Sequence, residues 1–218
     1  KEYLIYITKN DPNPAVRAEA TKILGDRKDA MLLANFVELC TDSSYTVAGT
    51  ALDAVYKIMP DEAFRLAGKL ERDAKGKLFE QICTIYSQMG DQFSLEFLTA
   101  QMMKVYKQNR AKVIEKYTLL LIKLNNESTL DAGIALLKLR ATADASGLVR
   151  YTAMRSLKEI NTHRTFLLKQ VSDAATQEKY KAAIALLNNE LQLLMQNEQD
   201  DEVVNMLKLN GVYTEIAQ

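Results

Sequence analysis

At 218 residues the chain is long enough for one large domain, two small ones, or a run of short repeats that each pack only on their neighbours. Lys plus Arg and Asp plus Glu both total 28, so the formal net charge is zero and no whole-molecule field draws in nucleic acid or an anionic membrane. A 48% hydrophobic composition with only 8 Gly and 3 Pro favours helices over sheets with many tight turns.

The first ten residues carry Tyr3, Leu4, Ile5, Tyr6 and Ile7 in succession, a poor outer cap for stacked helices, and read as the cut edge of a longer protein. The segment Asp11-Pro-Asn-Pro then feeds a helix with Val16, Arg17 and Ala20, and its apolar stripe continues at Ile23 and Leu24. Asp42, 31 residues after Asp11, opens a second copy with Val47, Ala48 and Ala51 at matching offsets and a stripe at Leu52 and Val55. Helices are predicted near 28–40, 44–59, 61–73, 76–89, 92–107, 110–125 and 128–142, with breaks at Asp26, Pro60, Gly76, Gly90, Asn109 and Asn125. Asp144 opens a third copy with Val149, Arg150 and Ala153, followed by Met154 and Leu157. Further helices are expected near 147–160, 163–173, 176–196 and 200–209, the last opened by the acidic run Glu198 to Glu202.

This pattern defines an all-α solenoid of stacked antiparallel helical hairpins, about a dozen helices in all. Small Ala20, Ala51 and Ala153 let neighbouring helices approach, and the valines face a core. No linker or composition shift divides the sequence, so residues 1–218 are expected to form one domain.

Asp, Val and Arg at these offsets resemble the HEAT repeat, and that resemblance implies a polar ladder of Asp and Arg running along the turns of successive repeats. Asp11 with Arg17 and Asp144 with Arg150 match it; Ala48 stands where an arginine is expected, which interrupts the ladder at the second copy. The run DPNPAVRAEATKIL, with DSSYTVAGTALDAVYKIMPDEAFRLAGKLE after it, is also similar to the C-terminal helical-repeat region of bacterial zinc aminopeptidases of the aminopeptidase N family, over most of residues 10–110. That resemblance implies a zinc-binding catalytic domain elsewhere in the parent chain, over whose active site this domain closes to limit peptide access. It implies no cofactor and no catalytic residue here. The partners it implies are the catalytic domain of the same chain and a peptide substrate on the concave face.

The residues themselves supply no competing chemistry. His163, the one histidine, has no second His at ligand spacing and reads as a helix-start or surface residue. Cys40 and Cys83 lie on apolar helical stretches without CxxC spacing and read as buried free thiols. Lys104, Lys107, Arg110, Lys112, Lys116 and Lys123, with Tyr106 and Tyr117 among them, read as a solvated helix pair; Glu115 interrupts the run and no Trp is present to stack on a base. Asn126-Glu-Ser128 fits a glycosylation sequon by pattern only. No apolar run reaches the roughly 18 residues of a membrane span. The expectation is a soluble, noncatalytic domain, cytoplasmic or periplasmic, that shapes a peptidase chamber; the alternative is a free-standing HEAT-repeat adaptor holding a protein or peptide on its concave face.

Overall fold

Five helical segments begin where a short polar side chain folds back on the backbone. Asn13, Asp29, Asn126, Asp173 and Asp200 each accept a hydrogen bond from an N–H two or three residues ahead, satisfying donors that a helix start leaves open. Asn126, the sequon asparagine, is therefore a helix cap. Left-handed Asn125, with φ of 46°, ends the preceding helix in a conformation that Asn tolerates better than most residues.

The computed structural model describes residues 1–212 and contains twelve α-helices among them. In chain order these are α1 (Glu2–Asn10), α2 (Pro14–Gly25), α3 (Leu33–Leu39), α4 (Tyr45–Ile58), α5 (Pro60–Leu70), α6 (Gly76–Met89), α7 (Gln92–Lys104), α8 (Lys107–Leu124), α9 (Glu127–Ala143), α10 (Gly147–Leu168), α11 (Ala174–Asn197) and α12 (Asp201–Leu209), with a 3-10 turn (Ala30–Leu32) leading into α3. The all-α solenoid class read from the repeats is the one observed. Packing divides the chain into two compact units, Lys1–Asp91 and Gln92–Gln218.

In the first unit α2, α4 and α6 lie side by side, with α1, α3 and α5 as their hairpin partners. Leu24, Phe36, Leu52, Ile82 and Ile85 are fully buried between these layers. In the second unit α10 packs on α8, α9, α11 and α12 around Ile114, Leu120, Leu121, Leu137 and Met154. Alternate helices thus make an inner layer in each unit, because a helix with one apolar stripe is covered only when a neighbour lies on each side.

Ala20, Ala51 and Ala153 are all buried, as are Val47 and Val149. Val16 departs from the expected core: it is 39% exposed, because none of the described residues packs over the outer face of α1 and α2. A second departure lies in α10, which is one helix where two were expected. Asn161-Thr-His reads as a break, yet Thr162 and Thr165 donate their hydroxyls to carbonyls one turn back, and buried Asn161 donates to the Ile184 carbonyl at 3.2 Å and Asn188 Oδ1 at 2.7 Å. With the Asn161 amide nitrogen bonded across to α11 and the threonine hydroxyls bonded inside the helix, these polar residues no longer break it. His163 consequently sits inside α10 and is half-buried, not a helix-start residue.

The tightest approach in the first unit is at Gly49, where a Cβ would lie 2.5 Å from the Lys77 carbonyl carbon and 2.6 Å from the Leu78 nitrogen. Both are backbone atoms that cannot swing aside. Gly49→Val is expected to cost at least about 2 kcal/mol through overpacking of α4 against α6, read as a lowered urea midpoint. An unchanged midpoint would show that the two helices do not approach this closely.

Candidate functional site

The residues singled out from the sequence come together in the turns. Each of the three copies begins with a carboxylate that accepts the N–H two residues ahead: Asp11 from Asn13 at 2.9 Å, Asp42 from Ser44 at 2.8 Å and Asp144 from Ser146 at 3.0 Å. These Asx-type turns bring the chain out of one helix and into the next. The arginine six residues on turns back over the same bend: Arg17 donates to the Asp11 carbonyl at 2.9 Å and Arg150 to the Asp144 carbonyl at 3.0 Å. A cation thereby meets an open carbonyl at the C-terminus of α1 or of α9.

The rest of each guanidinium reaches forward to the next repeat. Arg17 makes a two-pronged pair with Asp42, Nε to Oδ2 at 3.1 Å and Nη2 to Oδ1 at 2.9 Å. Both side chains are only 12% exposed. Arg150 makes the equivalent pair with Glu198 at 2.8 and 2.9 Å and touches Asp200 at 3.3 Å. One arginine thus ties a helix end, a turn and the following turn together, in the fork geometry that suits a guanidinium and a carboxylate.

Two members of this ladder escape a search for Asp, Val and Arg. Arg110 is one: its Nε donates to the Val105 carbonyl at 3.0 Å and its Nη1 to Asp144 Oδ2. Glu198 is the other, accepting the N–H of Asp200 at 3.0 Å in place of the usual aspartate, with buried Val203 five residues later. The 31-residue step carries a signal for Arg110: from Asp42 it passes to Asp73 and Lys104, and Arg110 lies six beyond Lys104. Ala48 and Phe79 occupy the arginine position in the two intervening copies. Ala48 is buried, and Asp73, one step beyond Asp42, is exposed.

The basic stretch of α8 does not form one surface. Arg110 belongs to the ladder and Tyr117 is buried, while Tyr106 is 81% exposed. Cys40 and Cys83 are both buried, and burial pushes the Cys40 thiol up to about 12, which leaves it protonated and unreactive at neutral pH. Burial lowers the pKa of His163, whose Nε2 has no hydrogen-bond partner among the described residues. No group of three or more His, Cys, Asp or Glu among the described residues is placed to hold a metal ion. No helix among them is long and apolar enough to cross a membrane.

Outside the ladder, α9, α10 and α11 line a groove with Ile134, Leu186 and Leu187 on its walls. Arg164 with Asp131 at 3.1 Å, and Lys138 with Glu190, supply its charged rim. An apolar floor with paired charges beside it can hold a segment of polypeptide, the floor supplying affinity and the rim orientation.

A family model described as HEAT repeats matches residues 2–76, which contain the first two copies and the Arg17–Asp42 rung. No curated protein matches the chain. Stacked hairpins, the ladder and this match together mark a helical-repeat architecture.

Arg150 holds the Glu198 carboxyl below the usual carboxylate range, chiefly through their hydrogen bond and against the opposing effect of burial. The unfolded chain therefore takes up that proton at a higher pH than the folded one. The stabilisation is complete above the unfolded value of about 4.3 and drains away as pH falls through the lowered folded value. Glu198→Gln is expected to lose about 2 kcal/mol at pH 7, with the gap to the parent narrowing below about pH 4. Urea unfolding at the two pH values checks this, and a gap independent of pH would contradict it.

Proposed function

We propose that the chain works as a single noncatalytic helical-repeat scaffold, whose surface receives a protein or peptide and whose own side chains perform no bond cleavage. The observation that carries this reading is the use of the ladder charges. Arg17, Arg110 and Arg150, the partly buried arginines of the ladder, are engaged by carboxylates of neighbouring turns. They hold repeats in place and leave the exposed surface for recognition. The groove between α9 and α11 is the place where a bound segment gains both apolar burial and charge pairing.

Within this reading, the likeness of residues 10–110 to aminopeptidase N-type proteins favours a particular setting: the C-terminal helical domain of a zinc peptidase, lying over the active-site chamber and limiting which peptides enter. The zinc and its activated water then belong to the catalytic domain of the parent chain, and this domain acts by steric selection. The alternative setting is a free-standing adaptor that uses the same surface for a partner protein.

Mass spectrometry and peptide sequencing of the native polypeptide separate the two. An upstream His-Glu-x-x-His motif with a later Glu is the outcome expected for the peptidase setting; an intact protein without it overturns that setting and leaves the adaptor. If the motif is present, removal of residues 1–218 from the purified enzyme is expected to broaden the range of peptide lengths it cleaves. An unchanged length preference would contradict a role in access.

A further inference from the structure

The first repeat is built like the others, but among the described residues no helix lies over its outer face. Counting from the opening carboxylate, positions five, eight and twelve are buried in the later copies: Val47, Thr50 and Ala54 after Asp42, and Val149, Thr152 and Ser156 after Asp144. The same positions in the first copy are Val16 and Ile23, 39% and 41% exposed, and Glu19, also exposed. With Leu4 and Ile7 of α1 they line an open groove that is almost wholly apolar.

Asp11 tells the same story in charge. Asp42, Asp144 and Glu198 each receive an arginine from the hairpin before them. Asp11 stands at the equivalent place, and its Oδ1 accepts the Asn13 N–H as in the other turns. No ion pair among the described residues reaches it. An acceptor already oriented by its turn, beside an apolar groove lined by positions that are buried in the later copies, specifies both halves of an interface: aliphatic side chains and one guanidinium.

We propose that the α1–α2 face is an internal repeat interface, receiving one further helical hairpin in the 31-residue register whose arginine, six residues after its own turn, pairs with Asp11. A second copy of this chain does not meet that requirement. The last described turn carries Val204 six residues after Glu198, so a head-to-tail copy offers no guanidinium to Asp11. The proposal concerns only this face and holds for either setting of the scaffold.

The test is a chain with residues 1–31 duplicated ahead of Lys1. In that register the Arg17 of the added segment stands to Asp11 as Arg17 now stands to Asp42. Hydrogen exchange is the readout. The amides of α1 and α2 in the original copy are expected to exchange at least about ten-fold more slowly than in the 218-residue chain. Asp11→Asn, which keeps the turn-forming oxygen, is expected to reverse much of that protection in the extended chain and to change little in the original.

Exchange of the added segment at the rate of an unfolded peptide, with α1 and α2 unaltered, would overturn the proposal. So would protection that survives Asp11→Asn undiminished. Sedimentation of the unmodified chain supplies an independent arm: a monomer is expected, whereas a dimer that protects Leu4, Ile7 and Val16 would assign the groove to a second copy. Loss of the peptidase setting leaves each of these outcomes unchanged, so the two readings fail separately.

Discussion

A helix that ends in a turn leaves carbonyl groups without partners, and a repeat that ends in a turn leaves nothing to fix its angle to the next. The ladder arginine answers both demands with one group. In Arg17 and Arg150, one nitrogen takes a carbonyl at the end of the preceding helix while others fork onto the carboxylate of the following turn. Hydrogen bonds to charged partners are roughly twice as strong as neutral ones and far more directional. Apolar burial between α2, α4 and α6 supplies most of the driving force, but burial alone has little preference for one stacking angle over another. The rung supplies that preference between the first two copies, and Gly25, where an added Cβ would lie 2.7 Å from the Ala54 Cβ, lets α2 and α4 come close enough for it to act.

Much of this was legible in the sequence because the physical requirement is local. An Asx turn needs Asp at a fixed offset from a helix start, and the apolar stripe needs a residue such as Val five positions on, so Asp11, Asp42 and Asp144 announced themselves. What escaped did so for physical reasons. Glu198 reaches the same acceptor position with one more methylene, and Arg110 keeps the guanidinium after its own turn has lost the aspartate. Asn161 and Thr162 looked like a break because their side chains compete for backbone hydrogen bonds; only the carbonyls of α10 and α11 show where those bonds go. Val16 was assigned to the core since its pattern is that of Val47, and pattern cannot report whether a neighbour is present.

The same economy bears on function. A protein whose ladder charges are committed to joining repeats has only its outer surfaces for recognition, and in the second unit the groove beside α11 combines Leu186 and Leu187 with the rim pairs of Arg164 and Lys138. A scaffold role and a role as the wall of a peptidase chamber ask the same of such a surface: that it hold its shape while a chain passes or docks. Rigidity of the turns is thus the link between the fold and either use.

The rung joins adjacent repeats as a coupled unit. A double-mutant cycle at Arg17 and Asp42, using Arg17→Ala and Asp42→Asn because Asn keeps the turn-forming oxygen, tests it directly. A coupling free energy of at least about 1 kcal/mol in urea unfolding is the predicted result. Additive effects of the two substitutions would show that the pair is two separate surface groups and that burial alone sets the stacking.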